Sequence, residues 1–417
     1  MFKWLIVFLA MASHSTAFAD YSSGKAVFDR EEFQKAFEIW FPSAEKGDPG
    51  SQNGIGVLYF NGLGVQEDKI AALKWYRLAA EQGLAKAQYN LGSLYAAGEV
   101  LAKDTAEAVE LYRLAAEQGF APAQNELGIA YGLGNGVILD MSKAFKWSSL
   151  AAEQGITNAQ FNVGWMYQNG QGIAKDDAEA VKWYRLAADQ GLAIAQNNLG
   201  WMYEVGQGIT ADQKEAVKWY TLAAVQGDAN AQNNLGWMYE DGQGVAEDKK
   251  EAFRWYRLAA EKGLAAAQNK LGTMYDFGEG GAKDKVKAIK WYRLAAEQGS
   301  SSGQTNLGTM YEFGEGVAKD TAEAVKWYRL AAEQGYARGQ ELLGSMYDNG
   351  HGVTEDKTEA AKWYSRSAEQ GNAFAQYSLG YMYQNGEGVD KNSAEALRWF
   401  RLSANQGYAF AQYSLGS

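Results

Sequence analysis

Few residues of this chain have side chains suited to covalent or metal chemistry. Its 417 residues include no cysteine and two histidines, His14 and His351. The lack of cysteine excludes disulfides, thiolate nucleophiles and cysteine-ligated zinc. Metal sites built from several histidines are excluded as well, and a serine–histidine–aspartate triad would depend on His351 if a leader were removed. We expect no catalytic residue, no metal and no cofactor.

Two short segments match enzyme motifs, and we interpret both as chance. Residues 299–303 read GSSSG, which fits G-x-S-x-G, but they lie between two predicted helices rather than after a strand. Ser22 and Lys25 fit S-x-x-K, but the S-D-N and K-T-G segments that accompany this motif in penicillin-binding enzymes are absent.

Carboxylates recur at a fixed spacing and could be mistaken for catalytic or calcium-binding groups. The position is occupied by Asp68, Asp104, Asp140, Asp176, Asp212, Asp248, Asp284, Asp320, Asp356 and Asn392. Asp and Asn are favoured helix N-caps because their side chains accept hydrogen bonds from first-turn N–H groups. We therefore predict ten helix caps, with Glu179 completing a capping box with Asp176.

The same spacing governs most of the chain. Glycine occurs every 36 residues, at positions 56, 92, 128, 164, 200, 236, 272, 308, 344, 380 and 416. Tryptophan keeps the same period at positions 75, 147, 183, 219, 255, 291, 327, 363 and 399, with Leu111 filling the missing step. A period of 20–50 residues indicates a solenoid or another repeat array.

One period, residues 156–191, predicts two helices. The first runs from about Asn158 to Asn169, and the second begins at Asp176 and buries Trp183 and Tyr184. Gly164 is costly inside a helix, so its recurrence suggests that the paired helix approaches closely there. Residues 170–172 read GQG, which we interpret as a left-handed helix end and a tight turn. Stacked antiparallel pairs of this kind form an all-α, right-handed α-solenoid.

The N-terminus is typical of a bacterial secretory signal peptide. Lys3 precedes an apolar run over residues 4–11, and residues 17–19 read AFA, a small-x-small cleavage site. The run is too short to span a membrane, which takes about 20 apolar residues. We expect cleavage of residues 1–19, a mature start at Asp20, and a periplasmic or secreted product without membrane insertion.

The net charge makes nucleic acid an improbable partner. The chain has 39 Lys and Arg residues against 50 Asp and Glu, for a formal charge of −11. Phosphate backbones and anionic lipid surfaces are bound by clustered positive charge. The acidity by itself is also explained by solubility.

The repeat resembles the Sel1-like repeat, a relative of the tetratricopeptide repeat. The resemblance rests on segments such as AQNNLGWMYEVGQG at residues 195–208 and EAVKWYTLAAVQG at residues 215–227. It covers ten repeats over residues 48–407, preceded by an N-terminal capping helix in residues 20–47 and followed by a partial eleventh repeat in residues 408–417. The resemblance implies a TPR-like scaffold for protein or peptide partners, often in the bacterial envelope or at host contact.

Variable positions on the outward face of the first helices are candidates for partner binding. In tetratricopeptide-like folds this face lines the concave groove. The predicted protein-binding residues are Phe161, Trp165, Asn197, Trp201, Asn233, Trp237, Phe277, Phe313, Tyr377 and Tyr381. Large aromatic side chains are enriched at binding hot spots, and asparagines can bond a peptide backbone. The alternative is that Trp165, Trp201 and Trp237 pack against the neighbouring repeat.

These observations favour a non-enzymatic scaffold of the cell envelope that binds a protein or peptide of unknown identity. A secreted factor that engages host proteins is an alternative within the same class. An envelope or cell-wall enzyme using carboxylates alone is an alternative from a different class. It would need two acidic residues outside the cap positions that converge in a pocket.

Overall fold

The computed structural model describes residues 20–416, so the predicted signal peptide lies outside the described residues. The described residues form two compact units, divided between Ala211 and Asp212. Every regular element in the described part of both units is a helix. No helix within residues 20–416 is long and apolar enough to cross a membrane.

The first unit begins with helix α1 at residues 20–28. The helices that follow are α2 (Phe33–Glu45), α3 (Pro49–Asn61), α4 (Lys69–Glu81), α5 (Ala85–Ala97), α6 (Thr105–Glu117), α7 (Ala121–Leu133), α8 (Met141–Glu153), α9 (Thr157–Asn169), α10 (Asp177–Asp189) and α11 (Ala193–Val205). Each packs mainly against the helices before and after it in this unit.

The second unit continues the same pattern. Its helices are α12 (Gln213–Val225), α13 (Ala229–Asp241), α14 (Lys249–Glu261), α15 (Ala265–Phe277), α16 (Lys285–Glu297), α17 (Ser301–Phe313), α18 (Thr321–Glu333), α19 (Ala337–Asn349), α20 (Lys357–Glu369), α21 (Ala373–Asn385), α22 (Ser393–Asn405) and α23 (Ala409–Gly416). Sequential packing of helix pairs makes the fold an all-α solenoid, as predicted.

The recurring carboxylates are helix caps. Asp176 accepts hydrogen bonds from the backbone N–H groups of Ala178 and Glu179, both at 3.0 Å. The side chains at the other nine positions also accept from their own first turns. The predicted capping box is wrong, because the Asp176 N–H donates to the Tyr167 carbonyl and the Glu179 carboxylate pairs with Lys182.

A glycine pair after nine of the ten complete first helices forms the predicted turn, and Val100 replaces the second glycine in the repeat at residues 85–120. Gly170 ends α9 with a φ of 65°, and Gly172 has a φ of 74°. A Cβ atom on Gly172 would lie 2.0 Å from the Met141 carbonyl oxygen. The second glycine is therefore also required for close packing of the turn on the start of α8.

The mid-helix glycine provides room for a tyrosine of the paired helix. A Cβ on Gly164 would lie 2.8 Å from the ring of Tyr184, whose side chain is fully buried. This confirms that the glycine permits close helix approach. Trp183 is only half-buried and packs beside Ala159 and Val163, whereas Trp219 is 6% exposed.

Buried glutamines connect consecutive helix pairs. The Gln268 Nε2 donates to the Ala260 carbonyl at 3.2 Å, and its Oε1 accepts from the Gln298 Nε2 at 2.7 Å. We call this arrangement a glutamine bridge. It recurs as Gln52 with Gln82, Gln88 with Gln118, Gln124 with Gln154, Gln160 with Gln190, Gln304 with Gln334, Gln340 with Gln370, and Gln376 with Gln406. Each bridge ties a first helix to the second helices on both sides of it.

The repeat at residues 229–264 lacks this bridge. Lys262 occupies the place of Gln298, and its ammonium donates to the Gly227 carbonyl instead. The Gln232 Nε2 still donates to the Ala224 carbonyl at 3.0 Å, but its Oε1 is buried without a hydrogen-bond partner. A buried acceptor without a donor costs free energy.

Residues 20–47 contain two helices, α1 and α2, where the sequence pattern predicts one capping helix. The Trp40 indole N–H donates to the Tyr21 carbonyl at 3.1 Å, and the rings of these residues stack with centroids 6.0 Å apart. A Cβ on Gly24 would lie 2.2 Å from the Trp40 Nε1. Glycine on α1 therefore faces a large ring on α2, as in the repeats that follow.

Candidate functional site

The candidate site is the outward face of the first helices, which we call the first-helix face. In the first unit it includes Trp165 on α9 and Trp201 on α11, which are 42% and 36% exposed. Phe161 is half-buried, with its ring centroid 5.7 Å from that of Tyr184. Asn197 is half-buried and its Nδ2 lies 3.4 Å from the Asn198 Oδ1. The two tryptophans are therefore the accessible aromatic groups of this predicted set.

In the second unit, Trp237 on α13 is less accessible. Its side chain is half-buried and packs against a core cluster that includes Tyr256 and Met274. The neighbouring Asn233 is half-buried, and its Oδ1 is a buried atom without a hydrogen-bond partner. At this position, part of the tryptophan surface is used in packing between repeats.

Further along the second unit, the predicted aromatic residues differ in exposure. Phe277 and Phe313 end α15 and α17 as exposed side chains, and Tyr381 on α21 is also exposed. Tyr377 is half-buried between rings, with centroids 5.7 Å from Phe400 and 5.3 Å from Tyr408.

A row of carboxylates on this face is absent from the residues predicted above. It lies four residues after the mid-helix glycine and includes Glu240, Asp276, Glu312 and Asp348 in the second unit. The tyrosine hydroxyl of the paired helix donates to each one, at 2.6 Å for Glu240 and 2.7 Å for Glu312. The 36-residue spacing of acidic residues was the signal that could have identified the row.

Lysines neutralise three of these carboxylates. The Lys270 ammonium lies 3.0 Å from Glu240, and the Lys357 ammonium lies 2.8 Å from Asp348. Lys285 pairs with Asp276 and also with Glu315. Burial disfavours the charge of Lys285, but the two carboxylates outweigh it and raise the Lys285 pKa.

Buried tyrosines donate hydrogen bonds to the side chain at this helix position, whether it is a carboxylate or an amide. Burial raises the pKa of Tyr184 to about 12, so its hydroxyl stays protonated and donates to the Gln168 Oε1 at 2.7 Å. Burial and the nearby Glu240 carboxylate raise the pKa of Tyr256 in the same direction. The row is thus tied to the repeat core.

The structure gives ordinary roles to the two enzyme-motif matches. Ser300 is the N-cap of α17 and its hydroxyl accepts from the Gly303 N–H at 3.2 Å. Lys25 forms an ion pair with Asp29 at 2.6 Å on the surface. Within residues 20–416, no group of three or more His, Asp or Glu side chains is arranged to hold a metal ion.

Comparison with known proteins agrees with this architecture. The model of the Sel1 repeat matches ten consecutive segments: residues 49–84, 85–120, 121–156, 157–192, 193–228, 229–264, 265–300, 301–336, 337–372 and 373–408. No curated protein sequence matches the chain significantly.

The solved structures that are similar to the chain include two bacterial proteins. A protective antigen of uropathogenic Escherichia coli with an SLR fold is 39% identical, with a TM-score of 0.80, covering 91% of this chain and 81% of that one. A Sel1 repeat protein from Oxalobacter formigenes is 33% identical, with a TM-score of 0.57, covering 74% of this chain and 89% of that one.

Sel1 repeat proteins generally mediate protein–protein interaction, and the family is one of non-enzymatic scaffolds. The ten matched repeats, the capped helix pairs and the glycine–tyrosine contact between paired helices together show that this chain belongs to the Sel1 repeat family.

Proposed function

We propose that this protein is a scaffold of the bacterial cell envelope that binds a partner protein or peptide on its first-helix face. The observation that carries the proposal is the exposure of Trp165 and Trp201, at 42% and 36%, on outward positions of two successive first helices. Exposed tryptophan is uncommon on a surface that only meets water, and it is enriched where one protein anchors another.

The second unit supports the same role. Its first helices present Phe277, Phe313 and Tyr381 as exposed aromatic side chains. Beside them, Glu240 and Asp276 hold fixed polar positions through the tyrosine and lysine contacts described above. Aromatic groups next to ordered polar groups are typical of peptide-binding surfaces.

The location in the envelope rests on the predicted signal peptide. The similarity to a protective antigen of uropathogenic Escherichia coli supports a version of the role in which the partner is a host protein. The two versions differ in the source of the partner and share the same binding surface.

The carboxylate enzyme is the weaker proposal. Several acidic groups outside the cap positions are paired with neighbours, such as Glu240 with Tyr256 and Lys270, and Asp348 with Lys357. A general acid and base would need carboxyl groups able to exchange protons with a substrate. Turnover of cell-wall material by the purified chain would support the enzyme and contradict the scaffold.

Site-specific photocrosslinking tests where a partner binds. A photoreactive amino acid is placed at Trp201 on α11 and, as a matched control, at Leu186, which is exposed on the second helix α10. We expect a discrete crosslinked product from envelope or host extract at Trp201 and none at Leu186. Equal products at both positions, or none at either, would contradict binding on the first-helix face.

Two alanine variants separate binding from packing. Trp201→Ala should lower stability by about 1 kcal/mol or less, as for an ordinary surface change. It should weaken binding of the captured partner by about 2 kcal/mol, or roughly 25-fold in the dissociation constant. Trp219→Ala removes a side chain that is 6% exposed and should cost about 3–5 kcal/mol. If Trp201→Ala unfolds as early in urea as Trp219→Ala, Trp201 is a packing residue and the assignment fails.

A further inference from the structure

One repeat, residues 121–156, lacks the large side chain that fills the others. Ser148 stands where the remaining nine repeats have an aromatic ring on the second helix. Those residues are Tyr76, Tyr112, Tyr184, Tyr220, Tyr256, Tyr292, Tyr328, Tyr364 and Phe400. In the same repeat, Gly132 stands where the next repeat has Gln168. Both changes remove volume from the same region between α7 and α8.

The missing volume appears as a cavity of about 230 Å³ that lies entirely within the first unit. Its lining includes Ile129, Gly132, Ala144, Asn162, Trp165 and Met166, together with Ser148. The exposed Trp165 and Leu133 are part of this lining, so the cavity opens to solvent on the first-helix face. Dry apolar cavities of roughly 150 Å³ are large enough to bind benzene.

The adjacent repeat shows which side chain fills the equivalent space when serine is not present. There, the Tyr184 ring lies against Gly164 and its hydroxyl points toward the first-helix face, 2.7 Å from the Gln168 Oε1. Asn198, on the following first helix, is near enough to the Tyr184 hydroxyl to lower the Tyr184 pKa against the larger effect of burial. A phenol ring with its hydroxyl toward the surface is therefore the group that this site accommodates elsewhere in the chain.

The polar groups of the cavity are unused. Ser148 is 3% exposed, and its hydroxyl makes no hydrogen bond to another described residue. Asn162, the counterpart of Asn198, also makes no side-chain hydrogen bond within residues 20–416. An occupant with an apolar ring and one hydroxyl would cover the apolar walls and supply a hydrogen-bond partner for Asn162.

We infer that this cavity binds a tyrosine side chain of the partner, inserted from the first-helix face with its ring in the place vacated at Ser148 and its hydroxyl at Asn162. The inference rests on the proposed function and names the chemistry of the partner's anchor. Trp165 at the rim covers the inserted ring, which gives this tryptophan a specific role in binding.

The probe for the cavity itself is p-cresol, which has the side-chain structure of tyrosine. Titration of the full chain carrying ¹³C-methyl methionine is expected to shift the Met166 and Met141 resonances in a saturable manner, since both residues line the cavity. Toluene, which lacks the hydroxyl, should bind at least threefold more weakly. The remaining methionines serve as internal controls.

Two variants close the cavity in different ways. Ser148→Tyr restores the ring of the other repeats, and Gly132→Gln restores the residue found at the rim in the next repeat. Both should abolish the p-cresol shifts while leaving the helical circular dichroism unchanged. Gly132→Gln lies at a partly exposed helical position, so it remains informative if Ser148→Tyr does not fold.

The outcomes separate this inference from the proposed function. No saturable shift in the unmodified chain, or the same shift in both variants, overturns the cavity assignment. If p-cresol binds to the cavity but Ser148→Tyr binds the partner identified by crosslinking with unchanged affinity, insertion of a partner tyrosine is contradicted. The proposed scaffold function is not contradicted by that result. The tyrosine anchor is supported if Ser148→Tyr loses p-cresol binding and also binds the partner at least tenfold more weakly.

Discussion

The missing glutamine bridge of the repeat at residues 229–264 makes a stability prediction with a defined sign. In Lys262→Gln, the new amide occupies the position that Gln298 has in the next repeat. There, the Gln298 Nε2 lies 2.7 Å from the Gln268 Oε1, to which it donates a hydrogen bond. The Gln232 Oε1, which is buried without a partner, should accept a hydrogen bond from the new amide. The variant should therefore be more stable than the parent chain.

The magnitude follows from three contributions. Satisfying a buried acceptor removes a penalty of about 1–3 kcal/mol, and a new hydrogen bond contributes about 0.5–1.5 kcal/mol net; the two overlap. Loss of the Lys262 charge at the end of α14 costs about 0.5 kcal/mol through the helix dipole. The contact with the Gly227 carbonyl should survive, because Gln190 reaches the equivalent Gly155 carbonyl at 3.3 Å. We expect a net gain of about 1 kcal/mol.

The assay combines urea unfolding with hydrogen exchange followed by mass spectrometry. In a repeat array, a local change is felt first by neighbouring repeats. Protection should therefore increase most in peptides from α12 to α15. Lys262→Met serves as the control, because it removes the charge without adding an amide and should not stabilise the chain. Gln298→Lys makes the reverse change in the next repeat and should cost about 1 kcal/mol.

Two results would refute this reasoning. If Lys262→Gln and Lys262→Met had the same urea midpoint, the amide would contribute nothing. If Gln298→Lys left the stability unchanged, the glutamine bridge at Gln268 would not stabilise the fold.

The remaining predictions concern glycines and helix caps. Gly272→Ala places a Cβ 2.6 Å from the Tyr292 ring and should destabilise by about 1–3 kcal/mol in urea melts. Gly132→Ala meets only an ordinary 3.6 Å contact and should stabilise by up to about 1 kcal/mol, so equal effects would contradict the packing argument. First-turn N–H bonds lower the Asp284 pKa, so its contribution to stability is present above the unfolded pKa near 4 and is lost as pH falls through the folded value. Asp284→Asn should flatten this loss in urea melts between pH 5 and 2, because a neutral amide still caps; an unchanged profile would count against it.

Much of the fold was predictable because its signals are local. An aspartate before a helix, such as Asp176, bonds N–H groups two and three residues away, so its role depends on neighbouring residues in the chain. The glycines of the turn, such as Gly170, adopt a positive φ for equally local reasons. The repeat spacing then implies the stacking, since a single helix pair cannot bury its apolar face alone.

The candidate site was predictable only in outline. Helical spacing predicted Trp165 and Trp237 at the same outward position of their first helices. In the structure Trp165 is exposed, whereas Trp237 packs against a core cluster. The row of carboxylates at Glu240 and Asp276 was overlooked because its partners are tyrosines and lysines 9 to 30 residues away. The Glu179 prediction failed because the Asp176 N–H donates to the carbonyl of Tyr167, nine residues earlier, while the Glu179 carboxylate pairs with Lys182.

The sequence by itself determined the repeat, its caps, its turns and its two-helix unit, because these depend on contacts within one turn of chain and on a strict period. Only the tertiary structure decided which aromatic rings are buried, where glutamines bridge successive helix pairs, and where Ser148 leaves a cavity. Burial and cavities are properties of the space among three or more helices. A substitution such as Ser for Tyr can be seen in the sequence, but whether neighbouring side chains fill the space depends on how those helices pack.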